Sequence, residues 1–121
     1  MVLVDTSVWI SHLRNGLLPL KKLLLDGIVL CHPFIIGEIA CGHLSNRLEI
    51  LTLLGVLPQS KMAEHGEVFR FLHDRRLMGK GLGWVDMHLL ASALLTRASL
   101  WTQDKALAFA AKELRLSFHP S

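Results

Sequence analysis

Four of the ten acidic residues in this 121-residue chain stand where a surface carboxylate has little reason to be. Asp5 ends the apolar run Val2-Leu3-Val4 and is followed by the hydroxyls of Thr6 and Ser7. Glu38 has Phe34, Ile35, Cys41 and Gly42 as its neighbours one helical turn away, with no Lys or Arg three or four residues off. Asp86 opens an apolar helical pattern with Leu89, Leu90 and Ala93 beneath it, and Asp104 follows Leu100-Trp101-Thr102. An ionised carboxylate on an apolar stripe is costly unless a cation, hydrogen-bond donors or a raised pKa relieves it. A set of carboxylate oxygens without Cys or His suits Mg²⁺ or Mn²⁺ rather than Zn²⁺. Such an ion activates water and neutralises charge on a phosphate, so the chemistry predicted is metal-dependent phosphodiester hydrolysis. The hydroxyls of Thr6, Ser7 and Thr102 are expected to support it by holding a water or a carboxylate. Each acid also has a plainer use. Asp104 suits the N-cap of a following helix, Asp86 gains from a first-turn helix dipole, and Asp5 can accept from the amides after it. Glu38 has neither a cap position nor a helical ion pair to explain it.

These acids need a frame. Residues 2–4 read as a buried strand, and 28–31, 99–102 and 116–118 as further short strands, with another near 55–58. Helical patterns cover residues 7–14, 17–25, 34–44, 45–52, 60–78 (the longest), 84–97 and 105–114. Strands alternating with helices imply a parallel sheet with helices on both faces, a three-layer α/β architecture. The length suits one domain over residues 1–121, with a core that needs no disulfide or structural metal. In such sheets ligands bind at the carboxyl ends of strands. Asp5 and Asp104 end strands, while Glu38 and Asp86 are predicted on inward helix faces, so all four can converge.

The chain is 51% hydrophobic and 19% charged, against roughly 25% charged for an average domain. Apolar surface patches, and hence partners, are expected. Stretches free of charge, such as residues 27–37, fall far short of the roughly 20 residues that a membrane span needs. The N-terminus lacks a basic region before its apolar run, so no signal peptide is expected, and the location predicted is cytoplasmic. Cys31 and Cys41 read as reduced thiols. Their neighbours His32 and His43 do not complete the usual zinc spacing, and Gly79-Lys-Gly-Leu-Gly83 lacks the Gly-Lys-Ser/Thr ending of a phosphate-binding loop. Net charge is +3; outside the four acids, 13 basic residues face six acidic ones. A basic surface around an acidic pocket suits a polyanion, and Arg75, Arg76 and Lys80 are candidate phosphate contacts. His88 is expected to point off the Asp86 face, to the surface or a partner. Trp9, Trp84 and Trp101 are expected in the core or at a dimer contact.

The run Val4-Asp5-Thr6-Ser7-Val8-Trp9-Ile10, then Glu38 in a helix after the second strand, resembles the opening of a PIN domain. Gly83-Trp-Val-Asp86-Met-His-Leu-Leu-Ala-Ser-Ala93 resembles the third acidic motif of that family, and Thr102-Gln-Asp104 the fourth. The order and total length are similar to the small PIN toxins called VapC, across essentially the whole chain. Lys105-Ala-Leu107 departs from the aspartate and aromatic that often follow the fourth motif. The resemblance implies a parallel sheet with strand order 3-2-1-4-5 and Mg²⁺- or Mn²⁺-dependent endoribonuclease activity. It also implies a homodimer, and neutralisation by a cognate VapB antitoxin. By that likeness Asp5, Glu38, Asp86 and Asp104 are catalytic and hold the metal. A PIN-like fold used as a binding or structural module is the alternative. An antitoxin segment is expected to lie in a groove between the apolar helices over 17–25 and 47–57.

Overall fold

The computed structural model describes residues 1–120. Strand β1 (Val2–Val4) lies at the centre of the sheet, parallel to β2 (Val29–Leu30) on one side and β3 (Ser99–Trp101) on the other. Leu3 pairs with Leu30 and with Leu100, and Val4 with Trp101. All three residues of β1 are buried, as expected of a parallel strand covered on both faces.

The sheet has three strands among the described residues, in the order β2-β1-β3, and the expected five-strand order is corrected to that extent. Single parallel bridges flank it, Cys31 with Gln59 beyond β2 and Leu100 with Ser117 beyond β3. Each edge segment makes one pair of bonds. Cys31 N–H donates to the Pro58 carbonyl at 2.9 Å and Ser60 N–H to the Cys31 carbonyl at 2.8 Å. Leu100 N–H reaches the Leu116 carbonyl at 2.7 Å and Phe118 N–H the Leu100 carbonyl at 3.0 Å. Pro58 and Pro120, which lack an amide donor, flank these contacts and limit the ladder.

Among the described residues seven helices surround the sheet: α1 (Thr6–Asn15), α2 (Leu18–Leu25), α3 (Pro33–Cys41), α4 (Arg47–Val56), α5 (His65–Asp74), α6 (Trp84–Thr96) and α7 (Lys105–Glu113). Helix α3 packs on α1 and α4, and α6 packs between α5 and β3. Helix α6 is buried continuously from Met87 to Ala93, which matches its nearly all-apolar sequence. The core joins Leu3, Val4, Ile35, Leu89, Leu90, Leu100 and Leu107.

Three expected boundaries move. The helix expected over 60–78 is α5 alone, because Ser60 and Lys61 are held in extended chain by the Cys31 carbonyl and the Thr96 hydroxyl. Helix α5 then starts at a capping box in which Glu64 and Glu67 satisfy each other's amides. Helix α4 runs through Gly55 and Val56, where a strand was expected, and α3 stops at Cys41, where the chain leaves helical geometry at Gly42.

Candidate active site

Asp5 is the N-cap residue of α1, yet its side chain caps nothing. Its carboxylate instead receives two hydroxyls, Thr102 Oγ1 at 2.7 Å and Ser7 Oγ at 2.9 Å, both on Oδ2. The parallel pairing of β1 and β3 sets this up, since Asp5 N–H donates to the Trp101 carbonyl at 2.9 Å. That bond places residue 102 beside residue 5. Ser7 Oγ in turn accepts from Gln103 N–H at 3.0 Å, and Thr102 Oγ1 accepts from Asp104 N–H at 3.0 Å. Asp5 is 7% exposed. An anion this buried is kept by its donors.

Glu38 is exposed, which corrects its expected place on the inward face of α3. Ile35 and Ile39 take that face, and Glu38 turns to the mouth of the site, where Thr6 Oγ1 donates to its Oε1 at 2.8 Å. Asp86, in the first turn of α6, is half-buried and accepts from Gly83 N–H at 3.0 Å. Its carboxyl is pushed above the ordinary range chiefly by burial; the Gly83 bond opposes this, and the charges of Asp5 and Asp104 add to it. Asp104 is exposed and caps α7, accepting from Leu107 N–H at 2.8 Å. Its plainer use is therefore real, but the cap does not remove its charge from Asp86.

The structure thus brings Asp5, Asp86 and Asp104 within electrostatic reach of one another, with Glu38 tied to the same helix start through Thr6. Among the described residues the one ion pair is Lys80 with Glu113, at 3.9 Å, so no Lys or Arg is paired with these acids. Three uncompensated carboxylates beside hydroxyl oxygens fit a hard divalent cation in donor chemistry. Among the described residues, no group of three His, Cys, Asp or Glu side chains is arranged to hold an ion as it stands.

Lys80 pairs with Glu113 at the far end of α7, and among the described residues no ion pair joins Arg75 or Arg76 to the acids. His88 is 1% exposed, which corrects its expected surface position. Its Nε2 lies 3.1 Å from His65 Nδ1, and burial, then the His65 charge, lowers its pKa. Trp9 and Trp101 are core residues at 4% and 6% exposure, whereas Trp84 is 37% exposed and stacks at 4.7 Å on the exposed Phe69.

Two features went unread in the sequence. Ser11 Oγ donates to Gln103 Oε1 at 2.7 Å, clasping the loop before Asp104 to α1. A cavity of about 310 Å³ beside Glu38 is lined by Arg14, His43 and Ser45 as well as Leu13, Ile39 and Ile50. The spacing of Arg14 one turn beyond Ile10 on α1 was the only available signal of the second, and it does not separate a pocket wall from a solvated residue.

No helix among the described residues is long and apolar enough to cross a membrane. The family described as PIN domain matches residues 2–113. The chain is 49% identical over 114 residues to Ribonuclease VapC32 of Mycobacterium tuberculosis strain CDC 1551 / Oshkosh, covering 93% of this chain and 92% of that protein. The protein of the same name from strain ATCC 25618 / H37Rv matches to the same extent. A buried strand-end aspartate, its hydroxyl donors and a match spanning nearly the whole chain lead to one assignment: the chain belongs to the PIN-domain family, in its VapC branch.

Proposed function

We propose that the chain is a toxin-type endoribonuclease of a VapBC system, one domain over residues 1–121, that hydrolyses RNA phosphodiesters with Mg²⁺ or Mn²⁺. Asp5, Glu38, Asp86 and Asp104 are its catalytic and metal-holding residues in this reading. One observation carries it: the charges of Asp5 and Asp104 bear on Asp86, and among the described residues no basic side chain is paired to any of the three. A bound ion supplies an activated water and neutralises charge on the phosphate. The protein's part is positioning. Ser7 and Thr102 fix Asp5 through Oδ2, Thr6 fixes Glu38, and the Gly83 amide fixes Asp86. The ribonuclease name of the matched relatives supports the same activity. The use of Asp104 as a helix cap favours the other reading, a binding or structural module.

The test is cleavage of total bacterial RNA by the purified, antitoxin-free protein with Mg²⁺ or Mn²⁺, with EDTA, and with Asp5→Asn. Defined fragments that need metal, and a rate at least ~100-fold lower in Asp5→Asn, are expected from the several kcal/mol that such a centre contributes. Metal-independent cutting, or full activity in the variant, would overturn the assignment.

A VapB-type antitoxin, cytoplasmic action and a homodimer belong to the same proposal. A groove of about 390 Å³ between α1, α2 and α4, lined by Trp9, Leu13, Leu24, Leu53 and Leu57, suits an apolar antitoxin segment. Leu25, Leu48 and Val56 beside it are 75% exposed or more, so the protein's own chain does not wrap these helices. The exposed Phe69–Trp84 pair supports the second copy as partner on α5 and α6. Arg75 and Arg76 remain available for distal RNA phosphates, with Lys80 released only if Glu113 lets it go.

A further inference from the structure

Glu38 lines the cavity that Arg14, His43 and Ser45 also line. Arg14 projects from the last turn of α1, and His43 and Ser45 from the turn joining α3 to α4. That turn is held in place: Arg47 donates to the Ala40 carbonyl through Nε at 3.1 Å and Nη2 at 3.0 Å. Within the described residues neither Arg14 nor His43 makes an ion pair or a side-chain hydrogen bond. Ile10, Leu13, Ile39 and Ile50 form the apolar remainder of the wall. A guanidinium, an imidazole, a hydroxyl and aliphatic side chains in one cavity wall match the parts of a nucleotide. The guanidinium takes phosphate bidentately, and the aliphatic wall takes a sugar or base.

Resting on the nuclease reading, we propose that this cavity binds the RNA nucleotide next to the scissile phosphate, with Arg14 on its phosphate. His43 and Ser45 donate to the same nucleotide. Two observations favour RNA here over the antitoxin. Its wall carries charged and polar groups, Arg14, Glu38, His43 and Ser45, unlike the almost wholly apolar groove lined by Trp9 and Leu53. Glu38, which the Thr6 hydroxyl ties to the start of α1 beside Asp5, is also part of the cavity wall. Arg14 is a binding residue in this scheme, so its loss raises KM and leaves kcat nearly unchanged.

The test measures anisotropy of a short labelled single-stranded RNA of mixed sequence on the full chain carrying Asp5→Asn, with and without Arg14→Gln, across a salt series. Wild-type and Arg14→Gln cleavage are followed in parallel. Arg14→Gln is expected to weaken binding about tenfold and to reduce the magnitude of the slope of log K against log salt by about 0.7, the share of one phosphate. Arg14→Lys is expected to restore the slope but not the full affinity. Unchanged affinity, slope and KM in Arg14→Gln, beside metal-dependent cleavage by the wild type, would overturn the subsite and leave the nuclease standing. Absence of both RNA binding and cleavage would overturn both. Normal RNA binding by Arg14→Gln, with escape from a co-expressed antitoxin, would assign the cavity to the protein partner and likewise overturn the proposal.

Discussion

Asp86 carries a charge that its surroundings oppose. Burial raises its pKa first, and the carboxylates of Asp5 and Asp104 add to the shift against the Gly83 amide. For an acid whose folded value is raised, the stability present at low pH is lost as pH rises through that value. Asp86→Asn keeps an oxygen for the Gly83 amide and removes the charge. In EDTA at neutral pH it is expected to raise Tm by ~2 °C, the yield of roughly 0.5 kcal/mol after solvent screening. Mn²⁺ should raise the Tm of the wild type and not of the variant. A lower Tm for Asp86→Asn in EDTA would mean that its charge is already compensated. His32 titrates in the opposite sense. It is fully buried; its Nδ1 accepts from Phe34 N–H at 2.9 Å and its Nε2 lies 3.1 Å from Ser92 Oγ, so the proton sits on Nε2. Burial, then the charge of His88, lowers its pKa from 6.5 to about 4. Its contribution is complete above the unfolded value of 6.5 and falls away as pH drops toward about 4. Urea unfolding across that window should show a loss of up to ~3 kcal/mol, and His32→Gln should flatten it. Cys31, beside it, is pushed up to about 11 by burial, so its thiol stays protonated at neutral pH.

Helix α4 has apolar residues on nearly every side, but only Leu54 is buried; Leu48 is 76% exposed, Leu53 58% and Val56 75%. A helix of that composition is normally covered. Leu53→Glu is expected to abolish the complex with a co-expressed antitoxin, seen as loss of co-elution. Because Leu53 is exposed, stability should change by less than about 0.5 kcal/mol; a stable complex in the variant would move the antitoxin to another face. The same helix shows where the sequence could not be read. Local pattern reported apolar residues but not which of them met a partner within the chain. Helix α5 was overextended for a related reason, since Met62 continues its periodicity while the Thr96 hydroxyl holds Lys61 in extended chain. Elements whose ends carry a punctuating residue type were legible: Asp104 before α7, Gly83 before α6, and Asp5 at the end of β1.

Across the whole molecule, the acids could be picked out because charge in apolar sequence is anomalous wherever the chain later places it. Their orientation could not. Glu38 was expected inward and lies outward, because Ile35 and Ile39 fill the space against the core and Thr6 offers a donor at the rim. The bonds that assemble the site join distant parts of the chain, and sequence periodicity has no access to them. Thr102 is 97 residues from Asp5, and Gln103 is 92 from Ser11. That separation also sets a clock. Synthesis at roughly 5–20 residues per second leaves the first aspartate waiting ~5–20 s for the hydroxyl that orients it. The central strand lacks its β3 neighbour until those later residues have been made. A ribosome stalled anywhere before that point releases only fragments without the assembled centre, so a cell meets this centre only in chains extended past Thr102.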